Sequence, residues 1–155
     1  MITIRTAEPR DADAAVDVLR RSITELCRVD HQNDAAALAG WLANKTPQNF
    51  LAWLASKNNL CMVAEEGACL MGVGMIGRNG RIHLLYLSPG AQRRGIGKAI
   101  YLAMERQAQT WGLQKLSTES TTAACAFYER MGFTRAGAAV PGLGVTLSLP
   151  YEKTL

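Results

Sequence analysis

A mixed α+β domain, with a mostly antiparallel central sheet of about seven strands flanked by helices, is what this sequence predicts. Three observations carry that expectation. Helical spacing dominates residues 10–55, strand-like runs take over after Asn58-Asn59, and helix and strand then alternate to the C-terminus. The 155 residues, 48% hydrophobic and 19% charged, suit one folded domain over 1–155 rather than a disordered chain.

The elements follow in order. ITIRTA (2–7) alternates as a short strand. Pro9 with Glu8, Asp11 and Asp13 suits a helix start, where negative charge meets the positive end of the helix dipole. Val16, Leu19, Ile23, Leu26 and Cys27 recur at helical spacing and predict a helix over 10–27. VDHQND (29–34) reads as a polar break. A second helical stretch follows at about 34–44, with Leu38, Trp41 and Leu42 on one side, and Pro47 opens a third, QNFLAWLAS.

Then the period changes. LCMVAEE (60–66) and CLMGVGMIG (69–77) flank Glu66-Gly67 as a hairpin, and Asn79-Gly80 is a two-residue turn leading into RIHLLYLS (81–88). Helical spacing resumes over 97–111 through Ile100, Ala103, Met104, Ala108 and Trp111, with Gly112 as the stop. LQKLSTES (113–120) predicts a strand, and TAACAFYERMG (122–132) a short helix closed by Gly132. FTRAG and VTLSLPYEKTL form a final strand pair.

Composition excludes several functions. Cys27, Cys61, Cys69 and Cys125 lie far apart, and only His31 and His83 could join them, so no metal site is expected. The start has no apolar signal region, and no run approaches the roughly 18 apolar residues of a membrane span. A cytoplasmic protein with reduced thiols follows. The net charge of +4 and pI near 9.0 suit an anionic small ligand as well as nucleic acid. No aromatic–basic platform accompanies that charge, so a nucleic-acid partner is not expected.

AQRRGIGKAI (91–100) is the segment that carries chemistry. It lies where a strand hands over to a helix, and the start of a helix leaves main-chain N–H groups unpartnered at the positive end of its dipole. Gly95 and Gly97 would let a bulky anion approach that backbone, and Arg93, Arg94 and Lys98 add positive charge. A pyrophosphate fits, but two familiar motifs do not. A P-loop fails because Gln92 stands at the first glycine position and Ala99 follows Gly97-Lys98. A dinucleotide fingerprint fails because Ile100 stands at its third glycine. A simple flexible turn is the alternative.

Leu85-Tyr86-Leu87-Ser88-Pro89-Gly90-Ala91-Gln92-Arg93-Arg94-Gly95-Ile96-Gly97-Lys98-Ala99 resembles the acyl-CoA-binding segment of the GNAT N-acetyltransferase superfamily, whose signature R/Q-x-x-G-x-G/A opens the central helix. Ala124-Cys125-Ala126-Phe127-Tyr128-Glu129-Arg130-Met131-Gly132-Phe133 resembles the family's A-x-x-x-Y-E-x-x-G-F helix, and the element order fits that fold along nearly the whole chain. The resemblance implies an acetyl-CoA-dependent transfer of an acetyl group to a primary amine, by direct attack in a ternary complex. A CoA-binding regulatory or interaction domain without turnover is the alternative. The amine acceptor is a small molecule or a peptide, no membrane partner is implied, and a homodimer is compatible with it.

Site residues follow from the same resemblance. The main-chain N–H groups of Gln92, Arg93, Arg94, Gly95, Ile96, Gly97 and Lys98 would wrap the pyrophosphate of coenzyme A. The main chain of Leu85, Tyr86 and Leu87 would pair with its pantetheine arm, and the Leu87 N–H would polarise the thioester carbonyl. Tyr128 stands at the family's tyrosine position beside the cofactor, as candidate general acid or as an aromatic anchoring its helix. Thr121 stands where many relatives carry a cofactor-contacting asparagine; as a helix N-cap it would serve equally well. Arg81 falls near the place where some relatives have a glutamate as the base, so that carboxylate is absent here. That leaves His83, Glu119 or a water chain as the base. The first helices and final hairpin, including Arg28, Asp30, His31, Trp41, Phe50 and the loop 136–144, would shape acceptor specificity, with Trp41 and Phe50 expected in the core.

Overall fold

The computed structural model describes residues 1–155. Its strands are β1 (Ile2–Thr6), β2 (Asn59–Glu66), β3 (Cys69–Gly77), β4 (Arg81–Leu87), β5 (Lys115–Ser120), β6 (Thr134–Arg135), β7 (Val140–Pro141) and β8 (Leu147–Thr154). They run in the order β1-β2-β3-β4-β5-β8-β6, with β7 also on β8. Neighbours are antiparallel except β4 and β5, which pair in parallel at only two positions, Arg81 with Ser117 and Ile82 with Thr118. The helices are α1 (Ala12–Leu26), α2 (Arg28–His31), α3 (Ala35–Leu42), α4 (Pro47–Ala55), α5 (Ile96–Thr110) and α6 (Cys125–Arg130). No helix is long and apolar enough to cross a membrane.

The turns form for the reasons the sequence gives: Gly67 and Gly80 both take positive φ, at 61° and 86°. At the N-terminus the acidic cluster does more than meet a dipole. Asp11 is buried and accepts two hydrogen bonds from Arg5, at 2.8 and 2.9 Å, and one from the Glu8 N–H at 2.7 Å. The Arg5 guanidinium holds that carboxyl below its ordinary range.

Two expectations change. VDHQND is more than a polar break: its first three residues lie in α2, and both Asp30 and His31 are buried there, at 3% and 0% exposure. The loop 136–144, expected without regular structure, contributes β7 to the final sheet edge.

Alternation along β2 and β3 divides the core in two. Cys61, Val63, Val73 and Met75 meet Val16 and Leu19 of α1 and the fully buried Phe50 of α4. The opposite face packs Ile76 and Ala64 against Ile96, Ile100, Tyr101 and Met104 of α5. On that face β3 carries Gly72 and Gly74. A Cβ at Gly74 would stand 2.6 Å from Ile100 Cγ2 and 3.1 Å from Met104 Sδ, and one at Gly72 would stand 2.6 Å from Ile100 Cδ1. These glycines set how closely α5 lies on the sheet.

Gly74→Ala is therefore expected to lower stability by about 1–3 kcal/mol through overpacking. Urea unfolding measures this; an unchanged midpoint would show that α5 can recede without cost.

Candidate active site

Three pieces of main chain build the site. The first is the entry to α5. A single turn at Pro89–Ala91 is followed by extended Gln92, then Arg93 at φ 61° and Gly95 at φ 78° as the N-cap of α5. No main-chain N–H from Gln92 through Lys98 donates to another part of the chain; the first helical bond runs from Ala99 N–H to Gly95 O at 3.0 Å. Seven consecutive donors thus lie free at the positive end of a 15-residue helix.

The two glycines do different work. Gly95 supplies the left-handed turn, and nothing stands near the position of its missing Cβ. Gly97 is buried on the packing side, where a Cβ would be 3.4 Å from Phe127 Cε1 and 3.5 Å from Leu87 Cδ1. Those are ordinary contact distances, so this side of Gly97 faces Leu87 and Phe127 while its N–H stays among the free donors. Arg94 is also diverted: its Nη2 donates to Glu66 at 2.7 Å. Arg93 and Lys98 remain exposed beside the free amides.

The second piece is the open edge of β4. Met75 pairs with Leu84 and Ile76 with Ile82, so His83 is an extra residue, a β-bulge. The bulge explains why Ile82 joins the α5 side of the core while Leu84 joins the α1 side. Beyond it β5 no longer pairs with β4. Ser88 N–H donates to Met71 O at 2.9 Å, so alternation turns the N–H and C=O of Leu85 and Leu87 away from β3, toward the gap. The main chain of Tyr86 instead faces β3, and its side chain reaches the pocket described below.

The third piece is α6. Tyr128 is 5% exposed and packs edge-on against Phe127 and Phe133, with centroids 5.4 and 5.3 Å away. Burial pushes its phenol up to about 12, opposed in part by the neighbouring Thr118 hydroxyl. Thr118 Oγ1 itself donates to Ile82 O at 3.1 Å, bridging β5 to β4 just where the strands part. The Thr121 hydroxyl accepts from Ala124 N–H at 3.1 Å, closing the turn that leads into α6, whose N-cap is Ala124.

A pocket of about 220 Å³ opens on the other side of the gap. It brings together His83, Glu119, Thr121, Tyr86 and Arg81 with Asp30, Trp41 and Leu143. Tyr128 and the glycine segment do not line it. Partial burial, then the charge of Arg81, lowers the His83 pKa from its ordinary value. Glu119 is held by Arg81 Nη2 at 3.2 Å. Burial, aided by the Asp30 charge, raises the Cys27 thiol to about 12.

Among the specificity candidates, Trp41 lines the pocket, whereas Phe50 is core as expected. His31 does not reach the pocket. Its Nε2 lies 3.1 Å from both Ile23 O and Thr24 O, while Nδ1 accepts from Asn33 N–H at 3.0 Å. Thr146, Leu147 and Ser148 of the last hairpin complete the wall and carried no local signal. A larger groove between α1 and α3 is apolar, and its one charged group, Arg20, donates to Leu42 O and Lys45 O. No group of three or more His, Cys, Asp or Glu residues is placed to hold a metal ion.

No curated protein sequence matches the chain. Its structure is similar to a GCN5-related N-acetyltransferase from Rhodopseudomonas palustris, with TM-score 0.87 and 21% identity over 99% of this chain and 95% of that one. It is similar to the PaiA N-acetyltransferase of Thermoplasma acidophilum, solved with coenzyme A, with TM-score 0.84 and 18% identity over 100% and 99%. Salmonella typhimurium yncA, solved with its cofactor acetyl-CoA, gives TM-score 0.74 and 20% identity over 99% and 94%. At such identities the structures speak for the fold. Residues 29–155 match the family model of the acetyltransferase (GNAT) domain, and the chain belongs to that family of acyltransferases.

Proposed function

We propose that this protein is an acetyl-CoA-dependent N-acetyltransferase that moves an acetyl group from the thioester to a primary amine by direct attack in a ternary complex. The observation that carries the reading is the run of unpartnered N–H groups from Gln92 to Lys98, opening beside the unpaired edge of β4. Diphosphate oxygens suit those donors, with Arg93 and Lys98 adding charge. An extended amide-bearing chain suits the outward main chain of Leu85 and Leu87, as an added strand would. The relatives solved with coenzyme A and acetyl-CoA support the same co-substrate. Acetyl-CoA, when bound, supplies the activated acetyl group.

The remaining tasks fall to side chains. The Leu87 N–H faces the gap, where it would stabilise charge developing on the carbonyl oxygen. Tyr128 keeps its proton through neutral pH and would hand it from Oη to the departing sulfur. The acceptor, a small-molecule or peptide amine, would enter through the pocket around Trp41 and Tyr86. Its amine must lose a proton before attack, an alkylamine having an ordinary pKa of about 10.4. We place His83 ahead of Glu119 as the acceptor of that proton. The lowered pKa leaves the imidazole unprotonated near neutrality, whereas the Glu119 carboxylate is turned onto Arg81. The reading also places the protein in the cytoplasm, where its four free thiols stay reduced.

The test is release of free thiol from acetyl-CoA against a broad panel of amines, joined to an NMR titration with coenzyme A. Amide shifts should concentrate on residues 92–98; shifts centred elsewhere, or no thiol release with any amine, would overturn the proposal. Tyr128→Phe should lower kcat by about 10²-fold or more while acetyl-CoA affinity changes little. Equal turnover would remove the acid role. The His83 ring should titrate below an ordinary histidine by NMR. Arg81→Ala should raise that value only part of the way, because burial is the larger cause. A ring titrating at or above the ordinary value would contradict the assignment of its environment.

A further inference from the structure

We infer that Asp30 is a positioning residue for acyl transfer: its carboxylate clamps the main chain that leads into α6 and so fixes where Tyr128 stands. The inference rests on the acid role proposed for Tyr128. Asp30 is 3% exposed and lies on the one-turn helix α2, yet it reaches the far half of the chain. Oδ1 accepts from Thr122 N–H at 2.6 Å and Oδ2 from Ala123 N–H at 3.2 Å, across more than ninety residues of sequence. No basic side chain pairs with it. Its charge is met by main-chain amides alone, and charge-assisted bonds of this kind are stronger than neutral ones.

Both ends of the clamp are fixed. On the α2 side, the neighbouring His31 ties to the last carbonyls of α1 and to Asn33 N–H. On the α6 side, the Thr121 hydroxyl takes the next amide, Ala124 N–H. The three N–H groups before α6 are therefore held by Asp30, Asp30 and Thr121. Tyr128 N–H in turn donates to Ala124 O at 3.1 Å, so a displacement at 122–124 passes directly to the tyrosine. Asp30 also lines the pocket that holds His83. One carboxylate thereby joins the proposed acceptor wall to the proposed proton donor.

The test is a double-mutant cycle read in kcat, using acetyl-CoA and an amine that releases thiol with the wild type. Asp30→Ala should lower kcat roughly tenfold to a hundredfold, the scale on which small misplacements act, with acetyl-CoA affinity nearly unchanged. Asp30→Asn, which keeps one accepting oxygen, should recover part of the loss. In a Tyr128→Phe background, Asp30→Ala should cost less than about twofold more, because both changes remove the same contribution. Multiplying losses would overturn the inference while leaving Tyr128 as the acid. An unimpaired Tyr128→Phe would overturn both, and absent thiol release from the wild type would instead overturn the proposed reaction. For variants that do not fold, the wild type supplies the readout. Thr122 and Ala123 amides should exchange slowly with solvent, and rapid exchange at both would overturn the clamp.

Discussion

The site depends on an incompleteness in the sheet. β4 and β5 lie parallel and hydrogen-bonded at Ile82 and Thr118, then separate, leaving the edge of β4 at Leu85 and Leu87 without a partner. An unpaired edge inside a sheet is an invitation to another extended chain, and proteins ordinarily cover or blunt such edges. Here the splay is maintained on both sides. The His83 bulge turns β4 at the vertex, and Thr118 Oγ1 ties β5 to Ile82 O at the last point of contact.

Close packing on the other face brings the anion cradle to that edge. Gly72 and Gly74 let Ile100 and Met104 settle against β3, and the first turn of α5 lies against Leu87 and Phe127 at Gly97. The free N–H groups are therefore positioned by the fit of apolar side chains, not by any electrostatic partner of their own. Charge is added selectively. Arg94 is neutralised by Glu66, so the local field comes from the amides, the helix dipole, Arg93 and Lys98. Backbone donors in a fixed arrangement need no reorganisation when an anion arrives, whereas exposed cations contribute less and are screened by salt.

The acceptor side is polar and tightly satisfied. Asp30 and His31 are both buried, an expensive placement unless every donor and acceptor finds a partner. Asp30 meets two amides, and His31 meets two carbonyls and an amide. Removing one partner would leave the others stranded, so such a corner is rigid by construction. That rigidity lies between the first helices and α6, the two regions that must meet across the pocket.

Much of this was legible along the chain, because the relevant signals are local. The change from helical to alternating spacing near residue 58, the turns at Gly67 and Gly80, and the glycine segment before α5 each depend on neighbours a few residues apart. Those signals determined the element order, the mixed sheet and the place where main-chain donors would be left over. They could not reveal α2, a single turn too short to show a period, nor that its Asp30 would bond to Thr122 and Ala123. The diversion of Arg94 to Glu66 and the bulge that sets His83 in the pocket wall were equally hidden. Periodicity and turn chemistry are properties of adjacent residues. Which polar group meets which across the fold is decided only when strands take register and helices settle on them.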